Sequence, residues 1–238
     1  MDFIRDGIDQ AVDLLIHGDP DVFGILGVTL KVALLSTLFA VLIGVPIAVV
    51  VALGRFRGRG IAFAFLNAGL GLPPVVLGLI VALMLFRNAP LGGLEWIYTV
   101  NGVILAQTLL GLPIVAAFTA AALQAVPSAL LDQARALGAS RAQIGVLAVR
   151  EARVGILAAI IGALGSALSE VGAVVLVGGN VTGRTQTLAS AVLTEVGAGE
   201  YGTGIALGLL LLGLILLLAA ALTLMQQRGA PGPVWRSS

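Results

Sequence analysis

Hydrophobic positions along this chain fall in long unbroken runs, not in the stripes of a water-soluble helix or the alternation of a half-buried strand. A helix that crosses the hydrocarbon of a bilayer needs about 20 apolar residues. Five stretches qualify: 25–54, 61–86, 101–124, 154–178 and 203–226. The first has its apolar heart from Val32 to Leu53, with Lys31 just before it. The second carries no charge from Ile61 to Phe86, and the fourth is interrupted by Glu170. The start of the chain reads differently. Asp2, Asp6, Asp9 and Asp13 recur on one helical face, and Ile4, Ile8, Val12 and Leu15 on another. This spacing predicts an amphipathic helix over 3–17, either lying in the membrane interface or packed on the protein itself. Its acidic opening is not the positively charged start of a cleavable signal. Residues 229–238, with Pro231 and Pro233, read as a flexible tail. The predicted fold is all-α and integral to a membrane: about five transmembrane helices in a single domain over 1–228.

Composition agrees. Hydrophobic residues make up 59% of the chain and charged residues 11%, and the mean hydropathy is +1.10. A soluble domain carries about 25% charged residues, so lipid has to be the solvent for most of this surface. A net charge of +1 argues against a nucleic-acid partner, which would need clustered basic residues. The absence of cysteine excludes disulfides, thiolate metal sites and a Cys nucleophile. The single His17 lies outside every predicted span, so an intramembrane serine or metal protease would lack its histidine.

Charge placement predicts orientation. Arg55, Arg57 and Arg59 crowd the loop after the first span. Arg135, Arg141, Arg150 and Arg153 lie between the third and fourth, and Arg228 and Arg236 follow the fifth. The opposite loops hold only Arg87 and Arg184 among their basic residues. By the positive-inside rule the N-terminus is outside and the C-terminus inside. The acidic N-terminal helix fits the outer side, away from an anionic inner leaflet.

The longest inner loop, 127–150, is patterned. Pro127 and Ser128 read as a helix start, with Ser128 as a candidate cap, and Gly138-Ala139-Ser140 as a break before a second short helix running toward Val149. Two short helices about a glycine corner make a knob that another protein can grip. This loop resembles the signature loop of bacterial ABC importer permeases, Glu-Ala-Ala followed after three residues by Gly. Here it runs Asp132-Gln133-Ala134, then Gly138, with Asp132 in place of Glu, Gln133 in place of Ala, and Arg150-Glu151 in place of the family's closing Leu-Pro. The resemblance implies that Asp132, Gln133, Ala134, Leu137, Gly138, Ala139, Ser140 and Arg141 couple the chain to an ATPase.

Two further segments narrow the group. Gly71-Leu72-Pro73-Pro74-Val75-Val76-Leu77-Gly78 places tandem prolines inside a span. There they remove backbone donors and kink the helix, which is tolerated only against protein or a cavity. The other segment runs from Ser169-Glu170-Val171-Gly172-Ala173 to Gly179-Asn180-Val181-Thr182-Gly183-Arg184-Thr185. Both are similar to the permeases for sulfate, molybdate and tungstate, and most similar to the tungstate type. That likeness implies a binding-protein-dependent ABC permease fold and a bacterial or archaeal cytoplasmic membrane. It implies a second copy of this chain, separate ABC ATPase subunits and an extracytoplasmic substrate-binding protein as partners. It also implies import of a tetrahedral oxyanion by alternating access, with tungstate first and molybdate next.

The expectations for the pathway follow from charge. Moving an anion across hydrocarbon demands temporary donors, and Gly179, Asn180, Thr182 and Thr185 can supply them at the outer mouth. Arg184 is either an anion attractor there or a solvated loop arginine. Glu170, an ionisable group at membrane depth, is expected to face the interior with a partner, more as a structural contact than as a substrate ligand. Pro73, Pro74 and Ser169 complete the candidate pathway or gate. The chain itself is expected to be non-catalytic and free of cofactor. A phosphate loop needs Gly-Lys-Ser/Thr, and the only lysine, Lys31, sits between Leu30 and Val32. ATP and Mg would therefore belong to the partner ATPase. The competing readings are an ABC permease for another small solute and a stand-alone secondary transporter. The latter would usually show internal repeats and several intramembrane charges, whereas Glu170 is the only deep one.

Overall fold

A computed structural model describes residues 8–9 and 20–229; apart from residues 8–9, the predicted N-terminal amphipathic helix lies outside the described residues, as does the tail from 230 onward. Over residues 20–229 ten α-helices and one 3-10 turn follow one another, with no strand among the described residues. They are α1 (Pro20–Leu53), α2 (Arg59–Gly69), α3 (Pro74–Leu85), the 3-10 turn Gly92–Leu94, α4 (Val100–Gln124), α5 (Ser128–Ala136), α6 (Arg141–Glu151), α7 (Arg153–Ser169), α8 (Gly172–Gly178), α9 (Leu188–Ala198) and α10 (Tyr201–Gly229).

Three of these, α1, α4 and α10, are long and apolar enough to cross a membrane alone. Two bent pairs supply the other crossings when each pair is counted as one span: α2 with α3, which meet at 99°, and α7 with α8, which meet at 61°. About five apolar crossings therefore stand, but two are broken. The tandem prolines produce a corner instead of a kink. Pro73 holds extended backbone and Pro74 occupies the first turn of α3, where a missing N–H costs nothing. At its 34 residues, α1 is on the order of 50 Å long at 1.5 Å per residue, longer than the hydrocarbon of about 30 Å.

The core is built around α4, which packs against α1, α2, α3, α7 and α8. In lipid, helices associate through close packing of small residues, and that is the device used here. A Cβ built on Gly155 would lie 2.5 Å from Ala122 Cβ, one on Gly69 2.5 Å from Pro113 Cβ, and one on Gly44 3.1 Å from Val115 Cγ1. By contrast, α10 is largely exposed. The segment between the fourth and fifth predicted spans is not all loop: α9 is an apolar hairpin partner of α10. A reciprocal Thr187–Ser190 capping box starts α9, and Gly199 at φ 87° ends it.

Candidate functional site

Three regions carry the candidate residues. The first is the knob formed by α5 and α6. Pro127 occupies the cap of α5 and Ser128 is its first helical residue, with no side-chain cap bond, so the expected serine cap is not made. The corner after α5 is a Schellman turn: the Ala139 N–H donates to the Ala134 carbonyl at 3.0 Å and the Gly138 N–H to the Arg135 carbonyl at 3.0 Å. Gly138 sits at φ 85° with open space around it. The next helix starts on a capping box. The Gln143 N–H donates to Ser140 Oγ (3.3 Å), and the Ser140 N–H donates to Gln143 Oε1 (2.7 Å). Asp132 and Arg135 form an ion pair one turn apart. Leu131, Ile144 and Ala148 anchor the knob to the ends of α1 and α4. The outer face holds Asp132, Gln133, Gly138, Ser140 and Arg141 exposed, while Ala134 and Ala139 are half-buried. At the tip, Leu137 is 89% exposed, the highest value for any large apolar residue described.

The second region joins the two broken spans. The start of α3 packs on the start of α8 so closely that a Cβ on Gly78 would lie 2.6 Å from Ala173 Cα, and one on Gly172 2.6 Å from Val75 Cγ2. The break that holds Pro73 and Pro74 and the break that holds Ser169 and Glu170 are thus brought together. Glu170 is half-buried, and its partner is a backbone group: the Ala173 N–H donates to Oε1 at 3.1 Å. The carboxylate takes up one of the free N–H groups at the start of α8. Ser169 turns back on its own helix, donating to Gly165 O at 3.0 Å.

The third region follows α8, and the structure divides its residues. Gly179 closes α8 at φ 73° against the Tyr98 ring. Thr185 is fully buried and closes the turn: Oγ1 donates to Gly178 O (2.7 Å) and accepts from the Val181 N–H (2.9 Å). It supplies no free donor at a mouth. Asn180 Nδ2 donates to Thr194 Oγ1 at 2.8 Å, while its Oδ1 is buried without a partner. Thr182 and Arg184 are exposed. Seven-residue α8 separates this turn from Glu170 by roughly 10 Å at 1.5 Å per residue.

Two features lay beyond the sequence reading. Arg59 seals the end of α1, with Nε donating to Val51 O (2.9 Å) and Nη2 to Ala52 O (2.6 Å), and its guanidinium lies over the Phe63 ring. Thr29 on α1 takes the Leu188 N–H at 2.9 Å and so ties the start of α9 to α1. Among the described residues no cluster of His, Asp or Glu has the makings of a metal site.

Comparison with known proteins places these features in a lineage. The family described as "Binding-protein-dependent transport system inner membrane component" matches residues 28–229. A "Probable anion ABC transporter permease protein" of Haloferax volcanii is 41% identical over 197 residues, covering 81% of this chain and 85% of that protein. The "Tungstate uptake system permease protein TupB" of Peptoclostridium acidaminophilum is 32% identical over 212 residues, covering 89% and 93%. Among solved structures, an inward-facing MetNI methionine ABC transporter chain shares the fold with a TM-score of 0.67 at 22% identity, over 86% of this chain and 94% of that one.

Proposed function

This chain belongs to the family of binding-protein-dependent transport system inner membrane components, and from that premise we propose that it is the membrane-spanning subunit of an ATP-driven importer for a tetrahedral oxyanion, tungstate first. The observation that carries the substrate reading is identity along most of the chain to a permease described as one for an anion, together with the likeness to a tungstate permease. The knob carries the energy reading. It presents Leu137, 89% exposed, beside a glycine corner in a loop that matches the family's ATPase-coupling segment by spacing.

In this reading two copies of the chain pair with two ATPase subunits, and an extracytoplasmic binding protein delivers the oxyanion. Residues 132–141 sit in the cytoplasm and transmit the ATPase stroke, with the N-terminus outside and the C-terminus inside. Transport proceeds by alternating access. The paired breaks at Pro73-Pro74 and Ser169-Glu170 are the places where two crossings can rearrange without unwinding a continuous helix. Glu170 positions α8 by holding its N-terminus and does not contact the cargo, which its negative charge would repel. Thr182 and Arg184, exposed beyond α8, meet the anion at the outer mouth. Asn180 and Thr185 shape the turn that presents them. Selectivity sits mainly in the binding protein, because a pathway that held the anion tightly would not release it.

The test is to purify the complex with its binding protein and measure which oxyanion stimulates ATP hydrolysis. Tungstate, followed by molybdate, is expected to stimulate. No response to either, beside a clear response to a different solute, overturns the substrate assignment while leaving the transport assignment standing.

A further inference from the structure

A cavity of about 430 Å³ opens between the last turn of α1 and the knob. Its walls are of two kinds. Leu53 and Ile144 give it an aliphatic side, and Arg55, Arg135 and Arg141 give it a cationic one, with Asp132 as the one acidic residue. The Asp132–Arg135 ion pair accounts for that carboxylate. Arg55 and Arg141 have no ion-pair or hydrogen-bond partner among the described residues. We propose that this cavity binds the headgroup phosphate of an anionic phospholipid from the inner leaflet, and that the bound lipid braces the knob against α1. This rests on the orientation and ATPase docking proposed above, and it assigns a regulator to that docking site.

Three observations favour a lipid over an acidic protein segment. The first is place. Val49 and Leu53 in the apolar wall belong to the end of α1, a spanning helix, so the cavity mouth lies where hydrocarbon gives way to headgroups. The second is chemistry. Guanidinium groups are planar forks that pair with phosphate oxygens two at a time, and basic residues beside a membrane draw anionic lipid. The third is the mixed lining. An aliphatic wall beside two free cations matches a molecule that carries a phosphate and the root of an acyl chain, whereas a charged peptide would leave the half-buried Val49 and Leu53 uncovered. Because one side of the cavity is α1 and the other the knob, an occupant adds a second brace to the packing of Leu131, Ile144 and Ala148 that already joins them. The lipid then sets how stiffly the knob passes on the ATPase stroke.

The experiment uses the full complex, with its ATPase and binding protein, in nanodiscs of phosphatidylcholine alone or mixed with phosphatidylglycerol. Two readouts are taken: oxyanion-stimulated ATP hydrolysis, and lipid retained on the detergent-extracted complex by native mass spectrometry. Phosphatidylglycerol is expected to be retained and to raise stimulated hydrolysis. Arg55→Gln should weaken retention about fivefold, the share of one basic residue at a membrane surface, and flatten the hydrolysis response. Arg57→Gln, two residues away and outside the cavity lining, should behave as wild type. Equal losses from Arg55→Gln and Arg57→Gln would reduce the effect to general surface charge and overturn the site. Loss of ATPase attachment in Arg55→Gln, in either lipid, would make the cavity a protein contact instead. Inorganic phosphate reproducing the effect in phosphatidylcholine would make it a free-ion site. If no ATPase is stimulated under any condition, the transport reading fails, and lipid retention still decides this proposal by itself.

Discussion

At the scale of single residues, Glu170 is the most instructive. A carboxylate at membrane depth is costly unless something holds it, and here the holder is the Ala173 N–H, at the otherwise unsatisfied start of α8. An accepting oxygen is what this contact needs, and a formal charge is dispensable. Glu170→Gln keeps the oxygen and is expected to transport at near wild-type rate. Glu170→Ala loses the cap, worth about 1 kcal/mol, and should lower both the melting temperature of the complex and its transport rate. If Glu170→Gln abolished transport with assembly and ATPase stimulation intact, the charge itself would be part of the mechanism. The need for a partner to Glu170 was legible, because depth and charge alone require one. Which partner was not, since a backbone amide three residues on leaves no trace in sequence. Arg59 shows the same limit. It lies with Arg55 and Arg57 in one basic loop, and only the fold reveals that it caps the carbonyls of Val51 and Ala52.

At the scale of elements, two glycines separate a structural requirement from a functional one. Gly138 needs its left-handed φ of 85° but has nothing within 4 Å of where a Cβ would be, whereas Gly78 has an ordinary φ and the Ala173 backbone at 2.6 Å. Gly138→Asn, which tolerates that conformation, should leave coupling intact. Gly138→Val meets roughly 1–2 kcal/mol of local strain at the knob's corner, and should lower transport-coupled ATP hydrolysis without lowering the amount of folded complex. Gly78→Leu should instead reduce folded complex in detergent, because overpacking costs about 1–3 kcal/mol and the obstacle is backbone. Size-exclusion recovery and ATPase assays on the same preparations distinguish the two. If Gly138→Val transported normally, the corner would have no part in coupling. The knob was legible because Gly138 sits at its turn position between a stretch opened by Pro127 and one opened by the Ser140–Gln143 capping box. The corner at Pro73-Pro74 was legible as an irregularity but not as a 99° turn, since tandem proline permits a range of angles and the packing of Gly69 on Pro113 and Gly78 on Ala173 selects one. The helix α9 went unread because its 11 residues are too few to span. Its Thr187–Ser190 box and Gly199 stop were nevertheless present as ordinary capping signals.

At the scale of the whole molecule, five crossings follow when each bent pair is counted as one span, and an odd number puts Pro20 and Gly229 on opposite sides. Everything proposed about coupling depends on which side is which. The basic loops make the argument: Arg55, Arg57 and Arg59 after α1, and Arg135, Arg141, Arg150 and Arg153 around the knob, against Arg87 and Arg184 in the opposite loops. Lys and Arg resist transfer across the membrane during insertion, so the side they crowd stays inside. The chain offers a clean way to check this, because it contains no cysteine and any thiol introduced is the only one to label. Arg57, Asn88 and Thr182 are all exposed in loops, and none takes part in the packing of α4. With a membrane-impermeant maleimide applied to intact cells, Asn88→Cys and Thr182→Cys are expected to label at once, and Arg57→Cys only after the membrane is opened. The opposite pattern would put residues 132–141 outside, out of reach of ATP, and would remove the ATPase docking role and the lipid site together. It would leave the family assignment intact, since that rests on the match over 28–229 and not on orientation.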